Sequence, residues 1–163
     1  MSRRIEKLLK EYPQMVQTRN CLAYQLAHFK GLTAEEVIES MYTPRQDGER
    51  VQTSYLSDKT AQIALDYQTR REQMNREWYS QMEQELCRLN DEVVFLESAL
   101  RSLPGTLSAV MWDIVVEQMK WDAVENKHAI SHTTLYRQRR RAISELDKLY
   151  EKHEHDMIAY MLD

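Results

Sequence analysis

The stretch that decides the fold runs from Pro104 to Tyr150, PGTLSAVMWDIVVEQMKWDAVENKHAISHTTLYRQRRRAISELDKLY. Pro104 and Gly105 break the chain together, one by removing a backbone donor and the other by freeing the backbone. Thr106 can then cap a helix whose apolar residues, Leu107, Val110, Met111, Ile114, Val115 and Met119, recur at three/four spacing. A second short helix fits Trp121 to His128, with Val124 as its core contact. Ser131 is placed to cap a third, which runs on from His132 without a breaker. Along that third helix Leu135, Ala142, Ile143, Leu146 and Leu149 share one side and would pack onto the two helices before it. Three helices, the last one basic, are the parts of a helix-turn-helix domain.

The other side of the third helix is what a nucleic acid would meet. His132, Thr133, Tyr136, Arg137 and Arg140 lie at spacings that hold them on one face for two turns. Thr and His can bond base edges or phosphates, the Tyr hydroxyl suits a phosphate, and an Arg fork matches guanine O6 and N7 in the major groove. Arg139 and Arg141 flank this surface and are expected on the phosphate backbone, with Lys127 as a further contact. The Ser131 cap would leave the positive end of the helix dipole facing a phosphate. Four arginines fall within five residues, and no Asp or Glu stands between Ser131 and Ser144. Between Lys120 and Lys152 there are eight Lys/Arg against five Asp/Glu, although the whole chain carries a formal charge of −4. Charge is segregated along the chain.

The segment MKWDAVENKHAISHTTLYRQRRRAISELDKLY resembles the sigma-factor region that reads the −35 promoter element. It resembles more closely the sigma-like late-gene regulators of phages and prophages, of the ArpU and RinA type. Trp121, Val124, Ile130, Ser131, Thr134, Leu135, Arg137, Arg139, Arg140, Ala142, Ile143 and Leu146 carry the match. About 50 residues from Leu103 are covered. The first hundred are similar only in plan: a tyrosine-proline near the start, an SDKTAQIALDY segment and a long helix. The resemblance implies a phage or prophage setting and a role in transcriptional control. Three positions depart from the pattern: Glu125 stands where a small residue is usual, His128 where an apolar one is, and Ala129 where the turn has glycine. A carboxylate buried there alone would be costly, so either Glu125 pairs with an arginine of the third helix or the register shifts by one residue.

Working back toward the amino end, Gly and Pro are so few, three of each in 163 residues, that they divide the chain almost by themselves. Ile5, Leu8, Tyr12, Met15, Leu22, Leu26 and Phe29 form an apolar seam interrupted by Arg19, with Pro13 expected to kink or split that helix. Thr33 and Glu36 have the spacing of a capping box, opening a short helix to about Met41. After the polar stretch around Pro44 and Gly48, a helix of about 45 residues should start at Ser57 or Asp58 and span roughly 65 Å. Tyr79, Met82, Leu86, Leu89, Val93, Leu96, Leu100 and Leu103 make a heptad seam on it. Such a stripe needs cover from the amino-terminal helix folded back, from a second copy of the chain, or from both. The expectation is an all-α protein: a helical hairpin or coiled coil over 1–103, a helix-turn-helix domain over 104–152, and a helical tail over 153–163.

Other classes find little support. There is no Gly-rich phosphate loop, HExxH, GxSxG or usefully spaced Cys/His pair, so neither catalysis nor a cofactor is expected. Cys21 and Cys87 read as reduced thiols. His128 and His132 straddle the turn at Ser131, while His153 and His155 point to opposite sides of a helix, so no metal site is expected. Trp78, Trp112 and Trp121 read as core or interface anchors. No apolar run approaches the ~18–20 residues that cross a bilayer, and the start, MSRRIEKLLKEY, lacks a signal-peptide core, so no membrane and a cytoplasmic location are expected. The leading function is sequence-specific binding of double-stranded DNA by the helix that begins at Ser131. The alternatives are a small terminase-type packaging subunit and a helical interaction module that contacts a protein such as RNA polymerase without reading DNA.

Overall fold

A chain with so few helix breakers and so many three/four apolar spacings has little choice but to be helical, and every regular element described is a helix. The computed structural model describes residues 3–33, 35–37 and 55–162. The helices are α1 (Arg3–Ala27), α2 (Tyr55–Ser102), α3 (Thr106–Val115), α4 (Trp121–His128) and α5 (His132–Leu162). Among the described residues there is no strand, and no helix is long and apolar enough to cross a membrane.

Residues up to Cys21 and from Cys87 onward form one compact unit, and those from Leu22 to Leu86 form a second. The division falls inside α1 and α2 rather than at Pro104. In the first unit Ile5, Leu9 and Tyr12 of α1 enter one buried cluster with Val93, Leu96, Leu100, Leu103, Leu107, Met111, Ile143, Leu146 and Tyr150. The carboxyl half of the heptad seam is thus covered by residues of the same chain. A smaller cluster of Val110, Val124 and Leu135 ties α3, α4 and α5 together, with Ile114, Met119, Trp121 and Ile130 around it. Each fully buried Leu, Ile or Val here contributes about 1.5–3 kcal/mol relative to its exposed state.

In the second unit the turn after α1 is latched onto α2. The Leu32 amide donates to Asn75 Oδ1 at 2.7 Å, and Arg71 Nε donates to the Leu32 carbonyl at 3.0 Å. Gly31 has φ +83°, and a Cβ there would meet Asn75 Nδ2 at 2.9 Å, so both conformation and space call for glycine. The capping box is formed: the Thr33 amide donates to Glu36 Oε2 at 2.8 Å and the Glu36 amide to Thr33 Oγ1 at 3.3 Å. Residues 35–37 are helical, while the expected end of that helix at Met41 and the Pro44–Gly48 stretch lie outside the described residues.

Several expectations are corrected. α1 runs through Pro13 as one element, neither split there nor ended. Pro13 forfeits only its own bond to the carbonyl four residues back, and α1 is anchored by buried Ile5, Leu9 and Tyr12 on that side of it. α2 starts at Tyr55, which puts Ser57 and Asp58 inside its first turn. Thr106 is the first helical residue of α3; Gly105 is the cap, and no side chain bonds the free amides. Trp78 is 52% exposed, which removes the core half of its expected role as a core or interface anchor. The third helix and the tail are one helix of 31 residues, because Tyr150 and Leu149 carry the apolar stripe on against the core and Phe95 stacks on His153 with centroids 4.0 Å apart.

Two tyrosines of the first unit make opposite use of their hydroxyls. Tyr12 donates to Glu97 Oε1 at 2.7 Å, and burial, helped by that carboxylate, pushes its pKa up to about 12. Tyr150 is 6% exposed, and its hydroxyl is buried without a hydrogen-bond partner among the described residues. An unsatisfied buried hydroxyl costs free energy, whereas deleting one member of a bonded pair strands the other. Tyr150→Phe should therefore leave stability unchanged or raise it by up to about 1 kcal/mol, and Tyr12→Phe should lower it by about 1 kcal/mol. Chemical denaturation of both variants beside the parent protein checks the contrast.

Candidate nucleic-acid interface

The carboxyl-terminal helices are held by two turns that both use the left-handed backbone region. α3 ends where the Met119 amide reaches the Asp113 carbonyl at 2.9 Å, with Gln118 at φ 51°. α4 ends at Ala129, φ 52° and ψ 44°, where the Ile130 amide donates to the Glu125 carbonyl at 3.1 Å. Ser131 Oγ then accepts from the Thr134 amide at 3.3 Å, which is the expected amino-terminal cap of α5.

Two carboxylates fix these helices to one another. Asp113 is the one charged side chain buried among the described residues, at 4% exposure. Lys127 Nζ lies 2.7 Å from its Oδ1 and His128 Nε2 lies 2.6 Å from its Oδ2, so α4 is bonded to α3 at both oxygens. Burial acts to raise the Asp113 pKa, but the hydrogen bonds from Lys127 and His128 outweigh it and hold the carboxyl below its ordinary value. Glu125 Oε1 lies 2.7 Å from His132 Nδ1, joining the last turn of α4 to the first residue of α5. The expected arginine partner is thus replaced by a histidine, for the geometric reason that His132 is the α5 residue that follows the turn directly. The two histidines, four residues apart, go to different carboxylates.

The eight residues singled out from the sequence are not all on one surface. Ser131, Thr133, Tyr136, Arg137, Arg140 and Arg141 are exposed, Tyr136 at 46%. Arg137, Arg140 and Arg141 make no ion pair with the described residues. His132 is exposed too, but its ring turns toward α4, bonded to Glu125 and tilted over Trp121 with centroids 5.1 Å apart. Arg139 turns the other way: its side chain is 20% exposed and Nη1 lies 3.8 Å from Glu6 Oε1 of α1. It stands four residues from Leu135 and four from Ile143, both buried, so the stem runs along the core and only the fork emerges. That spacing is in the sequence and places Arg139 with the inward stripe. Asp113, a lone acid in the run LSAVMWDIVV, is also legible there as a buried polar residue in need of partners.

Comparison with models of known protein families, with curated proteins and with solved structures finds no match for this chain. The arrangement itself defines what the surface can do. One helix packs its inward stripe on α3 and α4 and turns three unpaired guanidinium groups, a phenol and a threonine hydroxyl outward. Such groups donate hydrogen bonds to anions and to base edges.

Two outcomes follow for the framework. A carboxyl with a depressed folded pKa stabilises the fold above its unfolded pKa, and that contribution disappears as pH falls through the folded value. Asp113→Asn should cost roughly 1–2 kcal/mol at pH 7, less than a fully buried pair because Lys127 is half-exposed, and should weaken the acid-side fall in melting temperature. Ala129→Gly should raise stability by about 1 kcal/mol, since a left-handed conformation is penalised for any residue with a Cβ. Thermal melts from pH 3 to pH 8 test both.

Proposed function

We propose that this protein is a sequence-specific DNA-binding transcriptional regulator with a helix-turn-helix built from α3, α4 and α5, of the sigma-like kind found in phages and prophages. The observation that carries the reading is the outward side of α5, where Arg137, Arg140 and Arg141 are exposed and unpaired among the described residues while the other side is buried in the core. Internal ion pairs would have neutralised a merely structural arginine cluster, as Glu6 does for Arg139. On this reading α5 enters the major groove from its Ser131-capped end. Thr133, Tyr136, Arg137 and Arg140 address base edges, and Arg141 binds the phosphate backbone. The setting in a phage or prophage rests alone on the resemblance, which covers about 50 residues from Leu103.

A second reading is favoured by another feature. Trp78 is 52% exposed and Tyr79 43% on α2, an aromatic pair among charges of both signs that suits a protein partner such as RNA polymerase. The two readings are compatible, because one concerns α2 and the other α5.

Selection of duplexes from a random pool, followed by titration at 50–200 mM salt, tests the DNA reading. Binding should weaken steeply with salt, and Arg140→Ala should cost about 1–3 kcal/mol on the selected duplex while relaxing preference at one base pair. No duplex bound at any salt sinks the proposal; a ring of eight or more subunits in solution would favour the packaging subunit instead.

A further inference from the structure

Arg137 and Arg141 stand apart from the rest of the outward face. They are four residues apart on α5, so they lie one above the other on the same edge of the helix. That edge does not border α4. It borders the segment that leads into α3, and Pro104, Gly105, Thr106 and Leu107 form the opposite wall of a groove that Arg137, Gln138 and Arg141 line. Tyr136 and Arg140 do not line it; they belong to the other edge, toward His132 and α4. A Cβ built on Gly105 meets nothing within 4 Å, so this wall is open to solvent. Neither arginine has an acidic partner among the described residues, and the groove lining contains no carboxylate.

Resting on the DNA reading, we infer that the groove between α5 and residues 104–107 clamps the sugar-phosphate backbone of one strand, and that Arg137 acts there with Arg141 as a phosphate ligand rather than as a base reader. Two planar forks stacked along one edge, facing a wall of backbone and small side chains, suit the non-bridging oxygens of successive phosphodiesters. A base edge presents donors and acceptors in the floor of the major groove, which the centre of an inserted helix reaches better than an edge turned toward a neighbouring segment. Discrimination then falls to Thr133, Tyr136 and Arg140, and affinity to the groove.

The test uses the full chain with two duplexes of equal length, one selected from a random pool and one unrelated in sequence. Removing a cation that neutralises one phosphate should lower the magnitude of the log affinity against log salt slope by roughly 0.9, so Arg137→Ala and Arg141→Ala should each do so by that amount and together by about twice it. Both should weaken the two duplexes by the same factor. Arg137→Lys, which keeps the charge and removes the fork, should retain the slope and the sequence preference. Helicity measured by circular dichroism should be unchanged in all four variants, since both side chains are exposed. If Arg137→Ala or Arg137→Lys instead lowers binding to the selected duplex alone, with the salt slope intact, Arg137 reads bases and the inference is overturned while the DNA reading stands. Parent protein that binds neither duplex overturns both.

Discussion

A single buried carboxylate governs how the carboxyl-terminal helices meet. Asp113 sits among Val110, Met111 and Val115 on α3, where an uncompensated charge would be expensive, and only α4 supplies what it needs. With one oxygen given to Lys127 and the other to His128, α4 is held at a defined position along α3. The apolar contacts of Val110, Val124 and Leu135 favour proximity of the three helices but would tolerate sliding. The paired carboxylate does not, because its hydrogen bonds are directional. The Glu125–His132 contact extends the same logic across the next turn and aims the first residues of α5.

α5 then serves two environments at once. Leu135, Ala142, Ile143, Leu146 and Tyr150 lock it to the rest of the first unit, and its outward arginines are left with water. The acid-free run from His132 to Ser144 leaves Arg137 and Arg140 with no Asp or Glu three or four residues away on α5, and the one acid so placed for Arg141, Glu145, pairs with Lys148 instead. Of the four clustered arginines only Arg139 is neutralised among the described residues, and that from α1, at the edge of the core.

Much of this is visible in the residue order. The limits of α4, the Ser131 cap and four residues of the buried stripe of α5, Leu135, Ala142, Ile143 and Leu146, follow from local rules of capping and periodicity, whereas the last turn of that stripe buries Tyr150 and leaves Leu149 only partly covered. The inward turn of Arg139 is legible too, because spacings of four to Leu135 and Ile143 fix its side of the helix; grouping it with its neighbours in sequence hides this. The direction of His132 is not, since it depends on the turn geometry at Ala129 that brings Glu125 beneath it. The pairing of Asp113 with residues 14 and 15 positions later likewise depends on how two helices cross, which no local pattern encodes. The unbroken passage from α5 into the tail is legible in the lack of any breaker after Gly105, and its run EKHEHD is exposed as it reads; what the sequence hides is that Phe95 stacks on His153 and Arg4 pairs with Glu154.

An uninterrupted α5 also bears on the entropy of any encounter. Its 31 residues form one rod, roughly 46 Å long, rooted at its middle in the hydrophobic interior. The backbone bearing the outward cations has already been ordered when the chain folds, so docking of this face requires no coil-to-helix transition and forfeits little main-chain freedom. Only the guanidinium stems remain to be stilled. Any association through this surface would accordingly be a rigid-body event, with helical content the same before and after.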